Sequence, residues 1–275
     1  MRTLRVLLLI AASATLTACI NSSTLIKVKP DGSGTVEQTT LVNTGAMKAM
    51  MPGMTQPGQP GGGVNEADLK RTAERMGKGV RLVSAEPAKL GTFEGSKAIF
   101  AFDDINLVQV SQDPSMSGST DGWMAAPPQP PENPVKFTLQ KNAGGTSTLT
   151  VQFQDKPGAG VNTEKPQGGP DMSDPTVMNM VKTMFDGFKI AINLEVLGSI
   201  VKTNAEYVEG SRVTLMEMDL GLLFADQEKL KALQGKIGPG ASLTEVKPYL
   251  KDIKGIKIDG PMVTVEFKKR YVMTW

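Results

Sequence analysis

Short runs of alternating apolar and polar residues, broken by Gly- and Pro-rich turns, fill most of this chain beyond its first twenty residues. Thr24 to Lys29 and Thr35 to Val42 flank Pro30-Asp31-Gly32-Ser33-Gly34, a run of turn-forming residues, and predict a hairpin. Residues 80–85, 97–102 and 107–110 read as further strands. Residues 135–141 and 147–153 flank Asn142-Ala143-Gly144-Gly145, a second hairpin signal. Residues 188–196 alternate with Ile190, Ile192 and Leu194 on one face, and 199–204 and 212–218 continue the sheet. Residues 256–258 and 263–267, around Asp259-Gly260, predict a closing hairpin.

The helical period appears in isolated places. Asn65 is placed to open a helix, with Asp68 at the capping-box position, Val64 and Leu69 as a hydrophobic staple, and Gly77 as the stop. Leu69, Ala73 and Met76 share its face. Asp174-Pro175 is a cap followed by Pro at the first helical position, and Val177, Met178, Val181, Met184 and Phe185 follow at helical spacing. Residues 226–236 and 245–253 read as two more helices, the last with Pro248 in its first turn. Strands in hairpin runs with scattered helices predict an α+β fold: one antiparallel β-sheet with about four helices packed on it. Long Gly/Pro-rich loops are expected at 43–63, 112–134 and 154–173. The alternative is a split into two subdomains at 154–173. No repeat of fixed period is visible.

The first residues follow a different pattern. Arg2 and Arg5 precede an apolar run of 13 residues, Val6 to Ala18. That is too short to cross a hydrocarbon layer of ~30 Å, and it has the layout of a secretory signal. The run ends in Leu16-Thr17-Ala18-Cys19, which resembles the lipobox of bacterial lipoproteins. The resemblance implies that residues 1–18 are a signal peptide that is removed. It also implies that the Cys19 thiol carries a diacylglyceryl group and that the new amine is acylated. A plain secreted protein with a free Cys19 is the alternative. Two or more acyl chains anchor a protein stably where one does not. Residues 20–23 would then be a tether reaching at most roughly 14 Å, holding the ectodomain, 24–275, against the headgroups of the membrane lipid. Ile20 is not the Asp that retains many such proteins at an inner membrane. In a host with two membranes, this favours the outer one, facing the periplasm.

Charge narrows the partners. The chain has 30 Lys and Arg against 28 Asp and Glu, and loss of Arg2 and Arg5 with the signal leaves 28 of each. A neutral ectodomain lacks the basic footprint of a nucleic-acid binder and the polybasic attraction to anionic lipid. Cys19 is the one cysteine and there is no histidine. The commonest general base and the usual zinc ligands are therefore missing, and no cofactor is implied.

Two stretches resemble the LppM-type bacterial lipoprotein ectodomains. One is Ile190 to Val201 through Gly198, Asn204 and Gly210, returning as Val213-Thr214-Leu215 to Asp219-Leu220. The other is Val28 to Thr35, with Asp31, Gly32 and Gly34. Together they cover roughly 50 residues, mainly as turn chemistry. That family's C-terminal transmembrane segment has no counterpart here. The resemblance implies an antiparallel α+β ectodomain in the cell envelope, suggests a lipid-like ligand, and carries over no catalytic residue.

Other constellations have competing readings. Met47, Met50, Met51 and Met54 fall at i, i+3, i+4 and i+7. Soft thioethers suit Cu(I), but Pro52-Gly53 interrupts a helix, and Met also builds adaptable apolar surfaces. The apolar flap is preferred, with Val177, Val181 and Met184 helping it guard the mouth of an acyl-chain cavity. Ser199 and Lys202 have the S-x-x-K spacing, but on a strand an odd offset puts them on opposite faces. Asp103-Asp104 and Asp174 read as strand-end turn and helix cap rather than calcium ligands. The Pro-rich run 127–131 reads as an extended spacer. The expected function is non-enzymatic, binding an amphiphile or an envelope protein at the membrane surface. A structural or assembly lipoprotein without a small ligand is second, and copper handling by the Met cluster third.

Overall fold

The computed structural model describes residues 20–44, 65–111, 134–153, 182, 187–226, 228–229 and 243–270. In chain order these form β1 (Ile20–Val28), β2 (Gly34–Asn43), α1 (Glu66–Met76), β3 (Arg81–Leu90), β4 (Phe93–Phe102), a 3-10 turn (Ile105–Leu107), β5 (Gln109–Ser111), β6 (Pro134–Lys141) and β7 (Thr146–Gln152). There follow β8 (Lys189–Val196), β9 (Ser199–Thr203), β10 (Val208–Glu209), β11 (Arg212–Asp219), α2 (Leu220–Ala225), α3 (Leu243–Leu250), β12 (Ile256–Ile258) and β13 (Met262–Lys268).

The described residues are mostly β, and their strands make two sheets with three α-helices. This corrects the expected single antiparallel sheet with about four helices packed on it. The first sheet runs β10-β11-β8-β1-β2-β4-β3, with β12 also paired to β11; the second runs β5-β6-β7-β13-β9. The pairings are antiparallel except β1 with β8, which is parallel, Ser22 opposite Ile190 and Val28 opposite Val196. Of the helices expected at 174–185 and 226–236, only Lys182, Asp226, Glu228 and Lys229 are among the described residues. Helix α2, which the periodicity does not announce, starts where the Asp219 carboxylate accepts the Leu222 N–H at 3.0 Å.

Local chemistry fixes several elements as expected. Asn65 Oδ1 accepts from the N–H groups of Ala67 and Asp68, capping α1. Ala73 and Met76 are buried, and Leu69 packs against the core. In the β1–β2 turn the Asp31 carboxylate accepts from both the N–H and the hydroxyl of Ser33, and these bonds hold its pKa below the ordinary carboxylate value. Asn142 braces the β6–β7 turn by donating to the hydroxyls of Thr146 and Thr148. Ser199 and Lys202 lie on strand β9, not a helix. Asp103 pairs with Arg81 at 3.1 Å, and Asp104 caps the 3-10 turn.

The chain changes sheets at five places, and one overturns the closing hairpin. β12 pairs with β11 in the first sheet, while β13 pairs with β7 and β9 in the second. The segment Asp259-Gly260-Pro261 is therefore a crossing, not a hairpin turn. Asp259 is 2% exposed, and its carboxylate accepts the N–H groups of Glu206 (3.1 Å) and Gly260 (3.0 Å). It thus ties this crossing to the one between β9 and β10. Asn204 works beside it: its Oδ1 accepts the Thr264 N–H at 2.7 Å and its Nδ2 donates to the Met262 carbonyl at 3.1 Å. A side-chain amide here stands in for one more strand residue.

Burial pushes the Asp259 carboxyl pKa up, against the two N–H donations and nearby Lys247. The folded state then holds this proton more tightly than the unfolded chain does. The stability from that linkage is complete below the ordinary Asp range and is lost as pH rises through the raised value. Comparing Asp259→Asn with the parent in urea melts, we expect the difference to shift in favour of Asn from about pH 4 to pH 7. A pH-independent difference would refute the assignment.

Both sheets feed one apolar core. Ile26, Val28, Val36, Phe100 and Leu194 come from the first sheet, and Phe137, Leu149, Val151, Val265 and Phe267 from the second. The second sheet bonds to the first where β1 turns into β2: Ser147 Oγ donates to the Pro30 carbonyl. Leu197 N–H, just past β8, donates to the Val28 carbonyl and extends the β1–β8 pairing. The opposite end of β1, at Ile20, is the end nearest Cys19 in the chain.

Candidate functional site

The inward face of the first sheet changes character along its strands. Cross-strand register gives the inward series directly. On β1 it is Val28, Ile26, Thr24, Ser22; on β2, Gly34, Val36, Gln38, Thr40; on β4, Phe102, Phe100, Ala98, Ser96. Each series starts apolar at the β1–β2 turn and becomes small or polar toward the Ile20 end. Ser22 lies opposite Thr40, which lies opposite Ser96; Thr24 lies opposite Gln38. Directly opposed residues sit about 5 Å apart, so five uncharged polar side chains form one contiguous row.

On the other side of β1 the same level is apolar. Ser22 and Thr24 face Ile190 and Ile192 of β8. These face Met218 and Met216 of β11, which face Ile256 and Ile258 of β12. Ile190, Ile192, Met216, Ile256 and Ile258 are all buried. One level of the sheet therefore runs from aliphatic side chains and thioethers to hydroxyls and an amide, and the change occurs between β8 and β1.

Ser22 and Thr24 are both 0% exposed, and Gln38 is 9% exposed. Among the described residues, Ser22 Oγ and Thr24 Oγ1 have no hydrogen-bond partner. Leaving a buried hydroxyl unsatisfied costs about 1–3 kcal/mol, and sequences shed such groups easily, since Val replaces Thr in nearly the same volume. Two of them side by side in a sheet call for a partner, whether an ordered water or a ligand. The direct expectation is that Thr24→Val and Ser22→Ala each stabilise the ligand-free protein by about 1 kcal/mol. That is a rise in Tm of ~2–4 °C for a chain of this size. A fall in Tm on Thr24→Val would mean the hydroxyl is engaged in the free fold.

Charge is kept on the other face. Lys97 and Lys27 flank Glu37; Lys189 and Lys257 lie 2.9 and 3.2 Å from Glu217; Arg212 lies 3.1 Å from Glu195. All of these occupy outward register positions or their diagonals. Glu217 is half-buried, which raises its carboxyl pKa, but bonds from Lys189 and Lys257 outweigh this and the net shift is downward. On the inward face the charged pair next to the row is Lys89 with Glu94, one register step beyond Ser96, matched to each other at 2.6 Å. The row itself can exchange hydrogen bonds and offers no charge.

None of the residues singled out by sequence falls in this row. Cys19, Met47, Met50, Met51, Met54, Val177, Val181 and Met184 all lie outside the described residues, as does the Pro-rich run 127–131. Among the described residues no group of three or more His, Cys, Asp or Glu could hold a metal, and no helix is long and apolar enough to cross a membrane. Sequence reading passed over Ser22 because residues 20–23 read as tether, whereas β1 begins at Ile20. The signal was present: counting back by twos from Val28 and Ile26 places Thr24 and Ser22 on the core side.

No protein-family model matches the chain, and no curated protein matches it. Among solved structures, the NMR structure of the folded domain of LppM from Mycobacterium tuberculosis aligns over 92% of this chain and 91% of its own. The identity is 10% and the TM-score 0.34. It is a distant structural neighbour.

Proposed function

We propose that this is a lipid-anchored protein of the bacterial cell envelope whose ectodomain binds an amphiphile beside the membrane, without catalysing a reaction. The observation that carries the reading is the level of the first sheet where two buried, unpartnered hydroxyls adjoin a run of isoleucines and methionines. An amphiphile is the class of molecule with matching halves. The place is favourable as well: β1 starts at Ile20, one residue after Cys19, so acyl chains on that cysteine would hold this end of the sheet at the headgroups. Ile20 after the cysteine favours an outer membrane in a host that has two.

The test is titration of the ectodomain from Ile20 onward, which keeps β1 whole, with fatty acids and phospholipids below their aggregation limits. Each buried methylene contributes ~0.8 kcal/mol, so even a short acyl segment gives measurable affinity. Saturable binding with one site supports the reading. Absence of binding for every amphiphile tried removes it and leaves a structural or assembly lipoprotein.

A further inference from the structure

The chemistry of the polar row narrows the ligand further, on the footing of the amphiphile reading above. We propose that Ser22, Thr24, Gln38, Thr40 and Ser96 bind the uncharged, hydroxyl-bearing end of an acylglycerol-type amphiphile, with its acyl chain laid along Ile190, Ile192, Met216 and Met218.

Three observations lead there. First, the row holds hydroxyls and an amide but no cation or carboxylate, and the charges of this sheet are already matched elsewhere. A phosphate or carboxylate buried against Ser22 and Thr24 would bring a charge with no counter-charge, which is far more expensive than burying a hydrogen-bonded neutral group. Second, each of the two unpartnered hydroxyls can both donate and accept. A partner hydroxyl uses both capacities, whereas a carboxylate only accepts and an ammonium only donates. Third, Ser22 and Thr24 are two residues apart on one strand face, so their oxygens are separated by roughly 7 Å. Two hydroxyls on adjacent carbons, each making a hydrogen bond of ~2.8 Å, bridge that span. On the apolar side, Met216 and Met218 supply the flexible thioethers that accommodate chains of different length and unsaturation.

The experiment uses the full-length protein in membranes and three probes with a photoreactive diazirine in the acyl chain: a monoacylglycerol, a free fatty acid and a phosphatidylglycerol. Labelled peptides are mapped by mass spectrometry. The proposal expects the monoacylglycerol to label β8 and β11 at least about tenfold more than either anionic probe, since an unmatched buried charge is disfavoured. It also expects that labelling to fall about tenfold in the double variant Ser22→Ala with Thr24→Val, which loses two hydrogen bonds. Thr40→Val, at a half-buried position, is the second variant should the double variant not accumulate, and the same direction is expected. Equal labelling by the anionic probes, or labelling undiminished in both variants, would overturn the uncharged-headgroup assignment while leaving the amphiphile reading intact. If no probe labels these strands, both are overturned.

Discussion

Gly34→Ala and Gly95→Ala are each expected to destabilise the fold by about 3 kcal/mol or more, the upper range for overpacking. A Cβ on Gly34 would stand 1.9 Å from the Lys27 carbonyl oxygen and 2.7 Å from Phe102 Cζ; one on Gly95 would stand 2.0 Å from the Thr40 carbonyl oxygen. In both cases the obstacle is the backbone of the neighbouring strand, which no rotamer change can clear. Relief requires β2 to move from β1, or β4 from β2, and these pairs hold up the Ser22–Thr40–Ser96 row. Gly91→Ala is the control: φ is +59° and nothing lies within 4 Å of the added carbon, so only backbone strain of about 1 kcal/mol is expected. Chemical denaturation of the three variants checks the ranking. Gly34→Ala and Gly95→Ala melting like the parent would mean that the β1–β2–β4 register is wrong.

Cys19→Ser is expected to abolish lipid attachment. The proposed anchor is covalent and tied to one sulfur, and the described residues contain no helix that could substitute for it. Acyl chains contribute ~0.8 kcal/mol per buried methylene, so their loss removes the stable anchor. The variant should also keep residues 1–18, because the cut would depend on prior modification of the thiol. Metabolic labelling with a fatty-acid analogue, together with the intact mass of the variant, decides it. A normally cut, membrane-bound Cys19→Ser protein would eliminate the lipobox reading and with it the reason to place Ser22 near a bilayer.

What could be read from the sequence divides along physical lines. Local interactions were legible: Asn65 as a cap, Asp31 and Asn142 as turn formers, and the alternation that marks β2, β8 and β13. Partner choice was not. Residues 256–258 and 263–267, around Asp-Gly, have the local chemistry of a hairpin, but each strand finds a better apolar face in a different sheet. Turn residues do not encode whether a chain pairs back or crosses over. The parallel pairing of β1 with β8 joins segments too far apart for any pattern window. The row was hidden for a third reason. A Ser or Thr in an alternating strand is ordinarily assigned to the solvent side, so Ser22, Gln38 and Thr40 read as surface or tether. Only the register of three adjacent strands shows that all the core-side positions turn polar at one level. Met47, Met50, Met51 and Met54, put forward as a flap by their helical spacing and their thioethers, lie outside the described residues.

The central claim is that the inward face of the first sheet, at the level of Ser22 and Thr24, carries an amphiphile. Native mass spectrometry tests it most directly, on the ectodomain from Ile20 onward, exported without its anchor and purified without detergent. The account predicts a bound species of one amphiphile per chain, released on mild activation and depleted in the Ser22→Ala, Thr24→Val double variant. The bare polypeptide mass in every charge state would contradict it.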